Sequence, residues 1–189
     1  LEIYTRGLSV AEIRELAGIY VLDSGGNDAH GVLVGSGEAS VVSGAGNSKV
    51  SHALDLNGSN YVDLFPSIGV MNSMPRGTIT AWYATNGRRG GGAWEDMTIL
   101  SASDKDDNSS ALRLMIRDTG QIGFSVKDDG GDVVDVYTEQ VFRDPDIGVP
   151  NEWHHLAVIV DDNGTQIYVD GKKKKILAST GSVDARGFF

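Results

Sequence analysis

The stretch from Asn151 to Lys175, NEWHHLAVIVDDNGTQIYVDGKKKK, constrains the fold more than any other part of the chain. Leu156 to Val160 is an unbroken apolar run, and Asp162-Asn163-Gly164 suits the positive φ angles of a tight hairpin turn. Ile167 and Val169 then alternate with Gln166, Tyr168 and Asp170, and Asp170-Gly171 supplies a second turn. This pattern predicts a β-hairpin whose first strand is covered on both faces and whose second keeps one face exposed. Such a hairpin belongs to a larger sheet that packs against something else.

At 189 residues the chain suits one β-sandwich domain, or one plus a fragment, and a chain of this size buries roughly 70% of its unfolded surface. There is no cysteine, which removes disulfides and thiolate metal sites and leaves core packing or hard metal ions as sources of stability. The formal charge of −10 argues against a nucleic-acid partner, which calls for a basic face to displace counterions from phosphates. No apolar run approaches the ~20 residues that span a bilayer, and no basic-then-apolar secretion signal opens the chain. With 25 Gly and only 4 Pro, the composition reads as short strands joined by tight turns.

The remaining chain repeats that grammar. Leu1, Ile3 and Tyr4 look like a short strand, and Ser9-Val10-Ala11-Glu12 is a capping box that opens the one helix signal, ending near Ala17. Gly77 to Thr85 alternates Ile79, Ala81 and Tyr83 against Thr78, Thr80 and Trp82, which predicts a half-buried strand with an aromatic toward one surface. Met97 to Ala102 is a brief strand. A meander follows, with Leu112, Leu114 and Ile116, a turn at Asp118-Thr119-Gly120, then Ile122, Phe124 and Val126, a turn at Asp128 to Gly131, and Val133 to Thr138.

Four of these segments together resemble the laminin G-like, concanavalin A-type jelly rolls. Trp-His-His-Leu-Ala-Val, a turn and Ile-Tyr-Val-Asp-Gly (153–171) look like the family's penultimate hairpin, and Thr78 to Trp82 like its Thr-Ile-x-Ala-Trp strand. Asp23 to Leu33 is similar to its first loop, and Ser51 to Leu64 to its next signature. The resemblance implies an all-β, two-sheet antiparallel jelly-roll sandwich, with one short N-terminal helix, in an extracellular or cell-surface protein of bacterial type. Leu1 to Ala17 resembles the family's closing strand and short helix, displaced to the start of the chain, so that 18–189 is expected to form a jelly roll without its own closing strand. A sandwich lacking that strand leaves a pairing edge open. Leu1, Ile3, Tyr4 and Leu8 are expected to fill it, in this copy or a neighbouring one, unless 1–17 is the tail of a preceding repeat.

Several residue groups are candidate sites. Calcium needs hard oxygen ligands converging at about 2.3–2.6 Å, and Asp23, Asn27, Asp28 and the His30 carbonyl lie on one turn, with Asp55 on another. The resemblance places a structural calcium near Asp23 and Asn27. His154 and His155 are adjacent on a strand and so face opposite ways, which excludes a shared zinc. No Glu-x-Asp-x-x-Glu strand of the glucanase kind is present, and no Gly-x-Ser-x-Gly elbow, so catalysis is not expected. Arg88, Arg89 and Trp94 on a glycine-rich loop can stack on or grip an anionic sugar, or Trp94 can equally plug the edge of the core. Lys172 to Lys175 reads as a solvated edge that discourages aggregation, or as a patch for acidic glycans. The expected function is therefore non-catalytic recognition of a glycan or an extracellular protein, with calcium support; the alternative is a structural repeat joined to neighbouring copies through Leu1 to Leu8.

Overall fold

The structure is a computed structural model that describes residues 20–21, 30–35, 40–43, 52–56, 58–64, 76–84, 96–103, 111–128, 131–141 and 153–177. The chain divides into two compact units, Leu1–Met71 and Asn72–Phe189. Among the described residues every element is a strand and every pairing is antiparallel. The predicted N-terminal helix and the strand carrying Leu1, Ile3, Tyr4 and Leu8 lie outside the described residues.

The first unit holds β1 (Tyr20–Val21), β2 (Gly31–Gly35), β3 (Ser40–Ser43), β4 (His52–Asp55) and β5 (Asn60–Asp63). They form a three-stranded sheet in the order β1-β2-β5 and a two-stranded sheet β3-β4. The sequence stretch 51–64 thus yields two strands as expected, but they part company: β4 pairs with β3 and β5 with β2.

The second unit contains β6 (Gly77–Ala84), β7 (Met97–Ser103), β8 (Ala111–Ile116), β9 (Gln121–Asp128), β10 (Gly131–Gln140), β11 (Trp153–Asp161), β12 (Gly164–Val169) and β13 (Lys172–Leu177). One sheet runs β10-β9-β8-β7 and the other β13-β12-β11-β6. Leu114, Ile116, Ile122, Phe124, Val126, Val134 and Val136 of the first sheet meet Leu156, Val158, Ile167 and Val169 of the second in one buried cluster. Two sheets sharing one apolar core make a β-sandwich. β10 lies beside β13 at one margin, and at the other the Tyr83 hydroxyl of β6 reaches the Met97 sulfur of β7 at 3.7 Å.

The hairpin that anchors the sequence argument forms β11 and β12, paired from Leu156↔Val169 to Asp161↔Gly164. Its first turn differs in detail from expectation. Of Asp162, Asn163 and Gly164, only Gly164 has positive φ, at 103°. The Asp161 carboxylate accepts the Asn163 backbone N–H at 2.8 Å, so a local side-chain bond holds the turn instead of a left-handed pair. The second turn is the left-handed one, with Asp170 at φ 50° and Gly171 at φ 73°. The meander also forms, and Thr138 organises its irregular end. There the buried Thr138 hydroxyl accepts the Ile122 backbone N–H at 3.0 Å and donates to the Glu139 carbonyl at 2.7 Å.

Candidate ligand-binding face

Strand alternation sends one set of side chains on β6, β11 and β12 into the core and the other outward. Ile79, Leu156, Val158, Ile167 and Val169 go inward. The outward set, aligned by the register, is Trp82 beside His155, Thr80 beside Ala157 beside Tyr168, and Thr78 beside Ile159 beside Gln166. The Trp82 and His155 rings stand 5.2 Å apart at a tilt of 59°. Tyr168 donates its hydroxyl to the Gln166 side-chain oxygen at 3.1 Å, and Lys173 of β13 holds its ammonium 5.6 Å from the Tyr168 ring centroid. Trp82, His155 and Tyr168 are half-buried, while Thr78 and Thr80 are exposed. Two large rings and a histidine lie on a rigid sheet, with hydroxyls and an amide around them.

This face is less open than the alternation of β12 predicts. Gln166 is only 8% exposed and Tyr168 only partly so. The expectation that the second strand keeps an exposed face is corrected accordingly: the Tyr168–Gln166 bond and Lys173 close over it. On β11, by contrast, the continuous apolar run buries Leu156 and Val158 fully, while Ala157 and Ile159 on the outer side are half-buried.

At one end of the face the two histidines divide as strand geometry requires. His155 joins Trp82 outside, and His154 sits on the core side, its Nδ1 2.7 Å from the Asp170 carboxylate. That carboxylate also accepts the His155 backbone N–H at 2.9 Å, and the Asp170 N–H returns a bond to the His155 carbonyl. Desolvation pushes the Asp170 carboxyl upward, but the hydrogen bonds from His154 and the His155 amide outweigh it and hold it below its ordinary 3.8. The bonds tie the Asp170-Gly171 turn to β11.

The outer face of the other sheet is built differently. Tyr137, Gly123 and Met115 share one cross-strand row, and a Cβ at Gly123 would lie 2.8 Å from the Tyr137 ring. The ring therefore lies over the glycine, and Arg117 covers it at 4.9 Å while standing 3.7 Å from the Asp96 carboxylate. A hydrogen bond to Asp135 raises the Tyr137 phenol above its usual range, with a smaller push from burial. Beside this group a depression of about 60 Å³ is lined by Ala111, Arg113, Ser125 and Lys127. Enclosed ligand sites run to roughly 300–1,000 Å³, so this is a dent in the surface. Its aromatic ring is capped by Arg117, as Tyr168 is by Lys173, whereas Trp82 pairs with His155.

Of the site residues predicted from sequence, Asp23, Asn27, Asp28, Arg88, Arg89 and Trp94 lie outside the described residues. His30 directly precedes β2 and is half-buried; Asp55 ends β4 and is exposed. These two sit on different sheets and offer fewer oxygens than the six to eight of about 2.3–2.6 Å bonds that calcium takes, so by themselves they make no calcium site. Among the described residues no three His, Asp or Glu side chains are grouped for a metal. The face carrying Trp82, His155 and Tyr168 was not assembled from sequence. Each strand's parity was readable, but the pairing of β6 with β11 joins residues 69 to 83 positions apart and leaves no local signal.

Comparison with known proteins agrees with this architecture. No curated protein matches the chain in sequence. Among solved structures, domain 4 of a GH43 extracellular arabinanase from Geobacillus stearothermophilus, in complex with arabinotriose, is similar with a TM-score of 0.54. It shares 18% identity, over 90% of this chain and 74% of that one. The Ruminococcus gnavus IT-sialidase CBM40 bound to alpha2,6 sialyllactose is similar with a TM-score of 0.52 and 14% identity, over 82% of this chain and 72% of that one. Likeness at these identities is a likeness of fold. The family model of the concanavalin A-like lectin/glucanases superfamily, laminin G type 3, matches residues 56–189, and with most of its length so matched the chain belongs to that superfamily.

Proposed function

We propose that this chain is a non-catalytic carbohydrate-binding module whose ligand lies across Trp82, His155 and Tyr168 on the outer face of the β13-β12-β11-β6 sheet. The observation that carries the reading is the register that brings those three rings onto one face with Thr78, Thr80 and Gln166. Sugar rings present apolar C–H faces and a rim of hydroxyls. Aromatic side chains with a polar edge complement the first, and hydroxyl and amide groups the second. The two similar structures named above each hold an oligosaccharide, which supports the same reading.

The face is suited to binding without turnover. A retaining glycosidase needs two carboxyl groups about 5–5.5 Å apart and an inverting one about 6.5–9.5 Å apart. Among the described residues Asp170 and Asp161 stand at opposite ends of this face; the oxygens of Asp170 are engaged by His154 and the His155 amide, and those of Asp161 by the backbone and side-chain N–H groups of Asn163. On this reading the module works outside the cell, and the similar domain of an extracellular arabinanase supports that location.

The test is a glycan array followed by affinity electrophoresis of the full chain. The wild-type protein is expected to be retarded by at least one polysaccharide. Trp82→Ala and Tyr168→Ala are each expected to bind about tenfold or more weakly, the loss typical of a central aromatic contact, with unchanged circular dichroism. No retention by any glycan would overturn the proposal.

A further inference from the structure

We propose that the glycan taken by this face is anionic and that the lysines of β13 read its charge. The inference rests on the carbohydrate-binding reading above and assigns its ligand class. The chain carries 26 Asp and Glu against 16 Lys and Arg, yet Lys172, Lys173, Lys174 and Lys175 follow one another without interruption. All four are exposed on β13, which among the described residues pairs only with β12. The ion pairs formed within the described residues join Arg76 to Asp162, Arg117 to Asp96 and His154 to Asp170, and none of them neutralises β13.

Lysine on an edge strand guards it against aggregation, and four lysines in succession also repel one another. At about 3.3 Å per step, the three steps from Lys172 to Lys175 spread positive charge along roughly 10 Å, a length suited to successive charges of a polymer more than to one small anion. The strand is also shaped toward the aromatic face. Its register passes from Lys173↔Tyr168 to Lys175↔Ile167, so Lys174 is the extra residue of a bulge, a device that re-aims side chains. Lys173 already stands over the Tyr168 ring. By register Lys173 lies on the sugar face beside Tyr168, while Lys172 and Lys175, in the rows of the inward Val169 and Ile167, hold their charges at the exposed margin of the same sheet.

The experiment measures binding of the full chain to polysaccharides that share a backbone and differ in charge: polygalacturonate and its methyl ester, and sulfated and unsulfated dextran, with single-stranded DNA alongside. For a pair that binds, the acidic member is expected to bind at least about tenfold more tightly near 0.01 M salt, and the advantage to vanish near 1 M, where screening acts within about 3 Å. The carboxylate and sulfate arms show which anion is preferred. A variant with Lys172→Gln, Lys173→Gln, Lys174→Gln and Lys175→Gln, checked for monomeric state, is expected to bind both members as the wild type binds the neutral one. The corresponding four Lys→Arg changes are expected to keep the preference. Equal binding of acidic and neutral members by the wild type, an unaltered preference in the Gln variant, or DNA bound as tightly as the acidic polysaccharide would each overturn the inference. Neutral glycan retained through Trp82 with no acidic preference would remove this inference alone; loss of all glycan binding would remove the carbohydrate reading as well.

Discussion

Trp82 and Asp170 show how single residues acquire meaning only through their partners. On its own strand Trp82 is an outward aromatic opposite Ile79 and Tyr83; beside His155 it becomes half of a ring pair. Asp170 sits in a left-handed turn, where an aspartate is tolerated because its side chain can bond locally, and here it captures His154 and the His155 amide. Its carboxyl is held below 3.8, so its contribution to stability is complete above that value and fades as pH falls through the lower folded value. Urea midpoints measured against pH are expected to drop for the wild type below about pH 4. Asp170→Asn should be less stable at neutral pH and should converge on the wild type in acid. Parallel curves for the two proteins would mean that the carboxylate is not the linked group.

Strands and their turns were the most readable scale. The apolar run of β11, the alternation of β6 and β12, and the Asp118-Thr119-Gly120 turn of the meander all fell where local pattern placed them. What local pattern could not supply was pairing partner and closeness of packing. Nothing near Gly123 announces that Tyr137 will lie over it, because the two meet through register. Nothing near Gln166 announces that Tyr168 will bond its side-chain oxygen or that Lys173 will stand over the Tyr168 ring. These pairings predict measurable costs. Gly123→Ala puts a methyl against the Tyr137 ring and is expected to destabilise by about 1–3 kcal/mol, the usual penalty of overpacking. Thr138→Val keeps the volume but strips the Ile122 N–H of its acceptor, and should cost about 1–3 kcal/mol. Denaturation midpoints check both. A neutral Gly123→Ala would show that the tyrosine moves aside freely.

At the scale of the whole chain, the second unit has one core, centred on Phe124, Leu114, Leu156 and Ile167, each at most 1% exposed. Phe124→Ala is expected to cost about 3–5 kcal/mol, a large share of the marginal stability of such a domain; a loss below 1 kcal/mol by chemical denaturation would contradict that placement. The core fixes the two sheets, and each sheet then offers one outer face. One carries a tyrosine capped by Arg117, the other carries Trp82, His155 and Tyr168 beside the lysines of β13. The chain has three tryptophans, Trp82, Trp94 and Trp153, whose indole N–H signals can be followed separately in a nitrogen-edited spectrum during a glycan titration. If the sheet face binds, the Trp82 indole shifts saturably and its assignment is confirmed by its disappearance in Trp82→Phe. If the Trp94 indole shifts and that of Trp82 stays still, the ligand sits on the glycine-rich loop and the account of the face is wrong.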